Sequence, residues 1–474
     1  MRVLLLNPPG RGGLVMVKEG RCMQRQGAWG YVMAPVTMVT IATLLRAQGH
    51  QVRVLDCPAE ALPLDEALRR SASFGPEVVL VNTSTPSIDD DLRASALLRE
   101  RLHPGPVMVL YGIHPSVQYR DLLAPGRGAD CCIIGEPEFT ARDLVLALAR
   151  GGSPATVAGL AFLDDSGQVT VTGPRAPIAD LDELPAPDWS LVDTGNYRLP
   201  LNDERFLLVN TNRGCPFRCT FCNAHVYYGR TPRRRSVAHV MRELEADVAR
   251  FGVTNFMFWA EEFILDRPFV RELCAAIVAS GLRIRWVCNS RVDAVDAETL
   301  AAIKQAGCWN IAYGIESGVQ EVLDGLDKGI TLGMIERAVR LAKGAGLQVT
   351  GHVILGFPSD NRDSLDATER FVASLDLDFV QFYCAIPYPG TRLYQEAVQH
   401  GWLNSTDWRN WEHNTSVLDY DHLRSQEVMA SRRRMLQRHY FNPRRIVRTL
   451  ANHVRRPADL LSILSKVRGF VKWM

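Results

Sequence analysis

Three cysteines lie within eight residues of each other, in the run Arg213-Gly-Cys215-Pro-Phe-Arg-Cys219-Thr-Phe-Cys222-Asn. A C-x3-C-x2-C spacing places three soft thiolates on one short loop, and such ligands suit an iron–sulfur cluster or zinc. A structural zinc site needs four ligands, and His225 could supply the fourth. Three thiolates on a four-iron cluster would instead leave one iron open for a small molecule. The spacing and the position of the loop after a strand favour the cluster.

The composition excludes several classes of protein. The chain has 474 residues, and its 54 basic and 52 acidic residues leave a net charge of +2, which indicates no strongly charged partner for the whole chain. No apolar run approaches the ~18 residues that a transmembrane helix needs. The N-terminal run MRVLLLNPPG reaches a Pro-Gly break too early for a signal peptide. The 11 cysteines are an odd number without a secretion signal, so we expect a cytoplasmic protein without a disulfide framework.

Residues 1–150 alternate five short apolar runs with segments of helical periodicity. This alternation predicts an α/β domain with a parallel, doubly wound sheet. In such a sheet the ligand binds outside the carboxyl ends of the strands. The candidate binding residues at these ends are Asn7, Pro8, Ser84, Thr85, Gly112, His114, Gly135 and Glu136.

The rest of the chain divides into three parts by the same criteria. Residues 151–205 are rich in Pro and Gly and predict a linker that carries a small hairpin around Asp165-Ser166-Gly167. Residues 206–400 alternate six apolar runs with helical stretches, which predicts a full or partial (β/α)6 barrel with its active site at the carboxyl ends of the strands. Residues 401–474 are rich in Trp and then basic, and we expect a helical C-terminal region.

The cysteine loop, with Phe221 before its last cysteine, resembles that of the radical S-adenosylmethionine (SAM) enzymes, and the resemblance extends over residues 206–395. It implies that the three cysteines hold a 4Fe–4S cluster, that the open iron binds SAM, and that an electron donor such as flavodoxin or ferredoxin serves the cluster. At Ser359-Asp360 the sequence departs from the small residue and Glu that are usual in the family. The SAM-binding residues that the resemblance implies are Phe221, Glu261, Glu262, Asn289, Arg291, Glu316, Ser317 and Ile354.

A doubly wound domain before such a barrel is similar to the cobalamin-dependent subgroup of this family, and it implies cobalamin at the strand-end residues named above. The D-x-H-x-x-G motif that supplies an axial histidine elsewhere is absent, and we interpret His114 as part of a loop wall rather than as a cobalt ligand. Gly10-Arg-Gly12-Gly13 does not fit the G-x-G-x-x-G motif of a dinucleotide site. A domain that has lost cobalamin is the remaining alternative.

The resemblance implies an enzyme that methylates an unactivated carbon of a small molecule such as a pigment, a lipid or a specialised metabolite. A cyclase or oxidoreductase of the same architecture is the first alternative. A zinc-stabilised binding module without catalysis is an alternative of a different class.

Other polar and aromatic residues have simpler interpretations. We expect His352, Tyr383 and Cys384 to pack in the barrel core, because barrel interiors are mostly filled by packing side chains. We expect Trp402, Trp408 and Trp411 to cap the barrel, and we expect no nucleic-acid partner. The basic tail predicts a solvated helical face, with a helix that lies on a membrane surface as the alternative. Its basic residues are Arg432, Arg433, Arg434, Arg444, Arg445, Arg455, Arg456 and Lys466.

Overall fold

The computed structural model describes residues 1–19, 22–25, 32–124, 126–199, 203–443 and 445–447. The first half of the chain forms one large sheet and a separate two-stranded hairpin. Its strands are β1 (Arg2–Asn7), β2 (Met16–Glu19), β3 (Cys22–Arg25), β4 (Gln51–Asp56), β5 (Val78–Asn82), β6 (Val107–Tyr111), β7 (Cys131–Ile133), β8 (Leu160–Leu163) and β9 (Val169–Val171). Its helices are α1 (Val36–Ala47), α2 (Leu64–Phe74), α3 (Ile88–Arg101), α4 (Ile113–Leu122) and α5 (Pro137–Ala149).

The first sheet is doubly wound, as predicted. Its strands lie in the order β4-β1-β5-β6-β7-β8-β9, and the first five are parallel. Helices α1 and α5 bury Met38 and Leu144 on one face, and α2 and α3 bury Leu68 and Leu92 on the other. Strand β4 is added on one side of β1, and β5, β6 and β7 follow on the other side. The strand order therefore reverses between β1 and β5, and ligands bind at such a point in this type of fold.

Three features of this half differ from the expectation. The predicted hairpin around Asp165-Ser166-Gly167 exists, but its strands β8 and β9 extend the first sheet in antiparallel fashion. A second hairpin, β2–β3, follows β1 and was not predicted. Helix α4 begins at Ile113, so the interpretation of His114 as a loop residue is wrong. Pro115 fits there because the first turn of a helix needs no backbone N–H partner at that position.

The second half forms a six-stranded parallel sheet in the order β10-β13-β14-β15-β16-β17, an open barrel as predicted. In the described part of the chain, no helix is long and apolar enough to cross a membrane. The strands are β10 (Phe206–Asn210), β11 (Asn212–Arg213), β12 (Arg233–Arg234), β13 (Asn255–Trp259), β14 (Arg285–Ser290), β15 (Cys308–Glu316), β16 (Gln348–Leu355) and β17 (Phe379–Cys384). The helices are α6 (Ala224–Tyr228), α7 (Val237–Phe251), α8 (Arg267–Ser280), α9 (Ala297–Gln305), α10 (Gln320–Gly325), α11 (Leu332–Gly344), α12 (Arg362–Ser374), α13 (Arg392–Gln399) and α14 (Ser425–Tyr440).

The two faces of the barrel sheet have different surroundings. On β16, buried Val349 and Val353 alternate with Thr350, His352 and Ile354, which are only partly buried. Successive side chains of a strand point to opposite faces, so one face packs on the outer helices and the other opens into the barrel. The inner face therefore lines a cavity rather than a solid core.

The C-terminal helix α14 has a buried face in addition to the predicted solvated face, on which Arg433 and Arg434 are exposed. Helix α14 buries Val428, Met435 and Leu436 in the barrel core. Arg432 is buried, and its Nε donates to the carbonyl oxygen of Phe382 at 2.7 Å, so the expectation of a solvated side chain is wrong for this residue. Other residues of the predicted basic face, Arg444, Arg455, Arg456 and Lys466, lie outside the described residues.

The three tryptophans of the C-terminal region do not act alike. Trp402 packs on Tyr420 with ring centroids 5.0 Å apart. Trp408 instead reaches the first half of the chain, where its ring lies edge-on to His114 at 4.9 Å. Trp411 packs against Trp408 and is buried. The expectation that all three cap the barrel is therefore wrong for Trp408, which joins the barrel to the first sheet.

Candidate active site

A cavity of about 390 Å³ lies at the carboxyl ends of the barrel strands. Its wall includes all three cysteines of the C-x3-C-x2-C loop. Of the predicted SAM-binding residues, those that line it are Phe221, Glu261, Glu262, Asn289, Arg291, Glu316 and Ile354. The structure thus brings the cysteines and most of the predicted SAM-binding residues to one space.

The cysteine loop is fixed at its start by a tight backbone contact. Gly214 has φ +83°, and a Cβ added there would lie 2.2 Å from the carbonyl oxygen of Thr231, so only glycine fits. The loop then runs to α6, and the amide of Cys222 donates to the carbonyl oxygen of Cys219 at 3.2 Å. Burial raises the pKa of Cys219 to about 11, and Lys328 and Arg291 act in the opposite direction. These cations favour a thiolate at this position.

The geometry does not favour the zinc alternative. His225 is turned to the backbone, with its Nδ1 3.0 Å from the carbonyl oxygen of Cys222. Among the described residues, no group of three or more His, Cys, Asp or Glu side chains converges tightly enough to hold one metal ion. Three thiolates that each bind a different iron of a cluster do not need to converge on one point. The donor set therefore suits a cluster better than a single ion.

Glu262 organises the ends of two neighbouring strands. Its carboxylate accepts from the backbone amide of Arg291 at 2.7 Å and from the Ser290 hydroxyl at 3.0 Å. The Asn289 amide donates to the carbonyl oxygen of Ala260 at 2.9 Å, which ties β14 to the end of β13. These contacts hold the predicted acidic motif beside the predicted Asn-Ser-Arg motif.

Glu316 holds an unusual backbone conformation at the end of β15. Its φ is +61°, a region that residues other than glycine rarely adopt, and its carboxylate pairs with Lys328. A Cβ on Gly314 would lie 2.6 Å from a Glu316 carboxylate oxygen and 2.7 Å from the Lys328 ammonium, so glycine makes room for the ion pair. Strain of this kind is typical of functional sites.

Aromatic rings and a second ion pair complete this end of the cavity. The Arg291 guanidinium lies 3.6 Å from the ring centroid of Phe217 and pairs with Asp293 at 2.9 Å. Phe221 packs on Phe357 with ring centroids 5.3 Å apart. These rings add apolar surface to the polar end of the cavity.

Two residues of the predicted SAM motifs accept hydrogen bonds from backbone amides instead of lining the cavity. The Ser317 hydroxyl contacts the Thr368 hydroxyl at 3.2 Å and accepts from the amide of Val319, and the side chain is buried outside the cavity wall. Asp360 accepts from the amides of Gly356 and Phe357, both at 3.0 Å. Asp360 therefore shapes the loop that carries Phe357 into the cavity. The residue that departs from the family pattern at this position thus has a structural role.

The predicted cobalamin residues lie at the carboxyl edge of the first sheet. The Asn7 amide donates to Asp56 at 2.8 Å, and the Ser84 side chain caps the turn that follows β5. The Thr85 hydroxyl lies 3.2 Å from His114 Nδ1. Gly112 has φ +134°, and a Cβ there would lie 2.3 Å from the carbonyl oxygen of Thr83. Pro8 is buried and Gly135 is partly buried, and the Gly135 amide donates to the Ser116 hydroxyl at 3.0 Å.

Buried polar atoms at this edge fit a bound ligand. Asn7 Oδ1, Tyr111 Oη and His114 Nε2 are buried without a hydrogen-bond partner among the described residues. Such atoms are costly unless a ligand or water satisfies them. Burial also lowers the pKa of His114 to about 3, so its imidazole is neutral.

Glu136 belongs to a buried ion-pair network between the first sheet and the barrel. Its carboxylate pairs with Arg233 at 2.5 Å and accepts from the amide of Ile178 at 2.9 Å. Beside it, Arg213 donates to both carboxylate oxygens of Glu138, at 3.1 and 2.5 Å. Arg213 lies two residues before Cys215, so the network ties the cysteine loop to the first sheet.

Comparisons with known proteins agree with this geometry. The family model of the Radical SAM superfamily matches residues 209–372, and that of the B12 binding domain matches residues 27–145. The chain therefore contains a radical SAM domain and a B12-binding domain. An uncharacterized methyltransferase of Pyrococcus horikoshii is 29% identical over 453 residues, which cover 96% of this chain and 95% of the relative.

Two further relatives extend the comparison of this radical SAM enzyme. The anaerobic magnesium-protoporphyrin IX monomethyl ester cyclase of Rubrivivax gelatinosus is 28% identical over 403 residues, which cover 84% of this chain and 70% of the cyclase. The structure of the radical SAM methyltransferase TsrM from Kitasatospora setae, with cobalamin and a 4Fe–4S cluster bound, has a TM-score of 0.66 and 19% identity. That match covers 84% of this chain and 75% of the TsrM chain. The predicted family, fold class and cofactors are thus confirmed: a 4Fe–4S cluster, SAM and cobalamin.

The sequence interpretation missed part of the cavity of this radical SAM enzyme. His352 and Tyr383 line the cavity, so their assignment to the core is wrong, whereas Cys384 is buried in the barrel core as predicted and only borders the cavity. Strands of a parallel sheet that is covered on both faces are usually nearly continuous apolar runs, but β16 has polar Gln348, Thr350 and His352 at alternate positions, and β17 has Gln381 and Tyr383 two residues apart. That alternation is a signal that could have located the cavity wall. The other missed lining residues include Phe217, Lys328, Gln381, Tyr388 and His413.

Proposed function

We propose that this radical SAM enzyme is a cobalamin-dependent methyltransferase that methylates an unactivated carbon of a small molecule. One observation carries the proposal. Helix α6 directly follows the cysteine loop, and its Tyr227 borders a small cavity at the carboxyl edge of the first sheet together with Asn82 and Gly112. The two cofactor sites are therefore neighbours, and reactants that are held close together react with a high effective concentration.

The relatives support methyl transfer and define the main alternative. A protein named a methyltransferase aligns with almost the whole chain. A ring-forming cyclase aligns with most of it, so a cyclase or oxidoreductase of the same architecture is the second candidate function.

We propose that Cys215, Cys219 and Cys222 hold the cluster. When bound, the cluster and SAM supply a 5′-deoxyadenosyl radical, and cobalamin supplies the methyl group. Glu261 and Glu262 offer carboxylates for the SAM amino group, and Glu262 also holds the end of β14 in position.

Other residues of the site orient SAM and exclude water. The ion pair of Glu316 with Lys328 keeps a charged carboxylate next to the cysteine loop. Asn289, Arg291 and Ile354 line the same space, and Phe221 and Phe357 close it with apolar surface. A site without bulk water protects a radical from side reactions.

We propose that cobalamin binds at the carboxyl edge of the first sheet without a histidine nitrogen on cobalt. His114 is 1% exposed, its Nδ1 contacts Thr85, and Trp408 covers its ring. This position suits a wall contact better than an axial ligand. The carboxylate of Glu136 already has partners in the ion-pair network, so its contribution to cobalamin binding is indirect.

Three further proposals concern partners and location. We propose that a flavodoxin or ferredoxin supplies the electron and that the protein works in the cytoplasm. Membrane contact through the C-terminal region stays a prediction, because residues 448–474 lie outside the described part of the chain.

Turnover with methyl-labelled SAM tests methyl transfer. A methyltransferase of this type consumes two SAM molecules per product, so 5′-deoxyadenosine and S-adenosylhomocysteine should form in equal amounts and the product should carry the label. The reactions encoded by neighbouring genes should guide the choice of candidate substrates. Product that forms without label and without S-adenosylhomocysteine would contradict methyl transfer and support the cyclase or oxidoreductase.

A further inference from the structure

After α13 the chain forms a closed loop over residues 404–417, which we call the strap. Its two ends are held together by an antiparallel bridge between Leu403 and Leu418, and the Asn404 amide donates to the carbonyl oxygen of Val417 at 3.1 Å. Surface loops whose ends meet in this way and that pack on their own side chains are frequently functional.

The strap is held in shape by hydrogen bonds of its own. Asp407 accepts from the Arg409 amide at 3.0 Å and so caps the turn Trp408–Asn410. The indole N–H of Trp411 donates to the carbonyl oxygen of Ser405 at 3.1 Å. These bonds fix the backbone that carries Trp408.

One side of the strap is attached to the barrel. The Cys384 amide donates to the carbonyl oxygen of His413 at 2.8 Å, and the side chain of His413 lines the cavity at the carboxyl ends of the barrel strands. The guanidinium of buried Arg432 donates to Asn414 Oδ1 at 2.7 Å. The strap is therefore a fixed part of the barrel half.

The other side of the strap carries Trp408 to the edge of the first sheet. The Trp408 ring lies edge-on to His114 at 4.9 Å and packs against the apolar cluster that contains Ile113. The turn Trp408–Asn410 lies beside the turn Thr85–Ser87, which follows β5. His114 and Thr85 are residues of the proposed cobalamin site, so a side chain of the barrel half lies next to that site.

Trp408 is only partly buried at this edge, although Trp411 and His114 beside it are buried. Part of the indole surface is thus open to a ligand. His114 Nε2, on the ring that Trp408 contacts, is buried without a hydrogen-bond partner among the described residues. An open aromatic surface next to such an atom fits a ligand that has both a broad apolar ring and hydrogen-bonding groups. Cobalamin has both, because its corrin ring carries amide side chains.

We propose that Trp408 contacts cobalamin, so that the cobalamin site is built from both halves of the chain. The proposal rests on the proposed cobalamin site at the carboxyl edge of the first sheet. It assigns to the strap the role of closing that site from the barrel side. If Trp408 only joined the two halves, its exposure would not depend on the cofactor.

Radiolytic hydroxyl-radical footprinting, analysed by mass spectrometry, tests the contact in the full chain with its cluster intact. Trp408 should be oxidised in the protein without cobalamin, and its oxidation rate should fall severalfold once aquacobalamin is bound. Trp402 is the internal control, because it is also partly buried but packs on His400 and Tyr420. An unchanged rate for Trp408, or an equal fall for Trp402, would overturn the proposal.

Variants measure how much the contact contributes to binding. In anaerobic equilibrium dialysis with aquacobalamin, Trp408→Leu should weaken binding about tenfold, and Trp408→Phe, which keeps an aromatic face, should weaken it less. Trp402→Leu is the matched control and should bind aquacobalamin as the wild type does. Iron content and circular dichroism check that each variant folds. An unchanged affinity in Trp408→Leu, or an equal loss in Trp402→Leu, would contradict the contact.

These measurements need no turnover, so the two proposals can fail separately. A wild type that binds cobalamin without protecting Trp408 would remove the strap contact and leave methyl transfer unaffected. Protection of Trp408 in a protein that transfers no methyl label would count against methyl transfer alone. A wild type that binds no cobalamin would overturn both proposals.

Discussion

Two pairs of opposite charges lie at the active site. The side chains of Glu316 and Lys328 are each 7% exposed, and Arg291 pairs with Asp293. Removing one member of such a pair leaves a buried charge without compensation, which costs more than the pair contributes. We therefore expect a substitution of either member of the Glu316–Lys328 pair to destabilise this end of the cavity.

The buried carboxyl group of Glu19 should make the free energy of unfolding depend on pH. Burial raises its pKa to about 7, although the Thr37 hydroxyl donates to it at 2.5 Å. Between pH 5 and 7 the folded state keeps a proton that the unfolded state has released, so rising pH lowers the free energy of unfolding. The full shift corresponds to about 3 kcal/mol.

The test compares the wild type with Glu19→Gln by urea unfolding at pH 5, 6, 7 and 8. The variant should lose part of the decline with pH that the wild type shows. Glu66→Gln, at an exposed ion pair, is the control and should follow the wild type. Parallel curves for the wild type and Glu19→Gln would show that Glu19 does not titrate in this range.

Single residues differed in how well the sequence revealed them. The cysteines and Glu261, Glu262 and Glu316 were predictable because their types and order along successive strands follow a family pattern. Lys328 was not predictable, because its partner Glu316 lies 12 residues away, on the other side of α10, and the sequence does not give the path of that segment.

At the scale of elements, the loop after β16 depends on one side chain. Asp360 accepts from the Gly356 and Phe357 amides and from the Ser364 hydroxyl at 2.7 Å, so it joins the loop to the start of α12. Burial raises its pKa, and the hydrogen bonds act in the opposite direction. The loop in turn places Phe357 against Phe221.

Asp360→Asn should lower the free energy of unfolding by about 1–2 kcal/mol, because the amide replaces charge-assisted hydrogen bonds with weaker ones. It should also raise the KM for SAM, with a smaller effect on the rate of 5′-deoxyadenosine formation at saturation. Asp363→Asn, one turn further into the same segment, is the control. An unchanged KM for SAM would show that the loop does not position the cofactor.

Most elements were predictable and a few were not. The long periodic segments gave five strands of the first sheet, six barrel strands and the helices between them. Hairpin β2–β3 was missed because two four-residue strands with charged side chains lack a clear alternation. Helix α4 was missed because Pro115 indicates a turn unless its place in the first helical turn is known.

At the scale of the molecule, contacts between distant segments assemble the two cofactor sites. Arg213 and Arg233 of the barrel half pair with Glu138 and Glu136 of the first half. A second contact is an aromatic and aliphatic cluster with members from three parts of the chain. They include Ile113, Tyr227, Tyr388, Trp411 and Val417. A single sequence shows none of these contacts, because no local pattern links the segments.

A double-mutant cycle tests the coupling of the two halves. Glu138→Leu and Arg213→Met should each lower the free energy of unfolding by about 3–5 kcal/mol, because each leaves a buried charge unpaired. The double variant should be more stable than the sum of the single effects predicts. Asp203→Asn, at the exposed pair with Arg198, should have little effect. Additive effects of Glu138→Leu and Arg213→Met would show that the pair does not couple the sheet to the cysteine loop.

Metal analysis of anaerobically reconstituted protein tests most directly whether this chain holds both cofactors at the proposed sites. We expect about four iron, about four sulfide and about one cobalt per chain in the wild type. Replacement of Cys215, Cys219 and Cys222 by Ala should remove the iron and the sulfide and leave the cobalt, because cobalamin is expected at the first sheet. A full complement of iron in the triple variant, or a wild type without cobalt, would contradict the assignment.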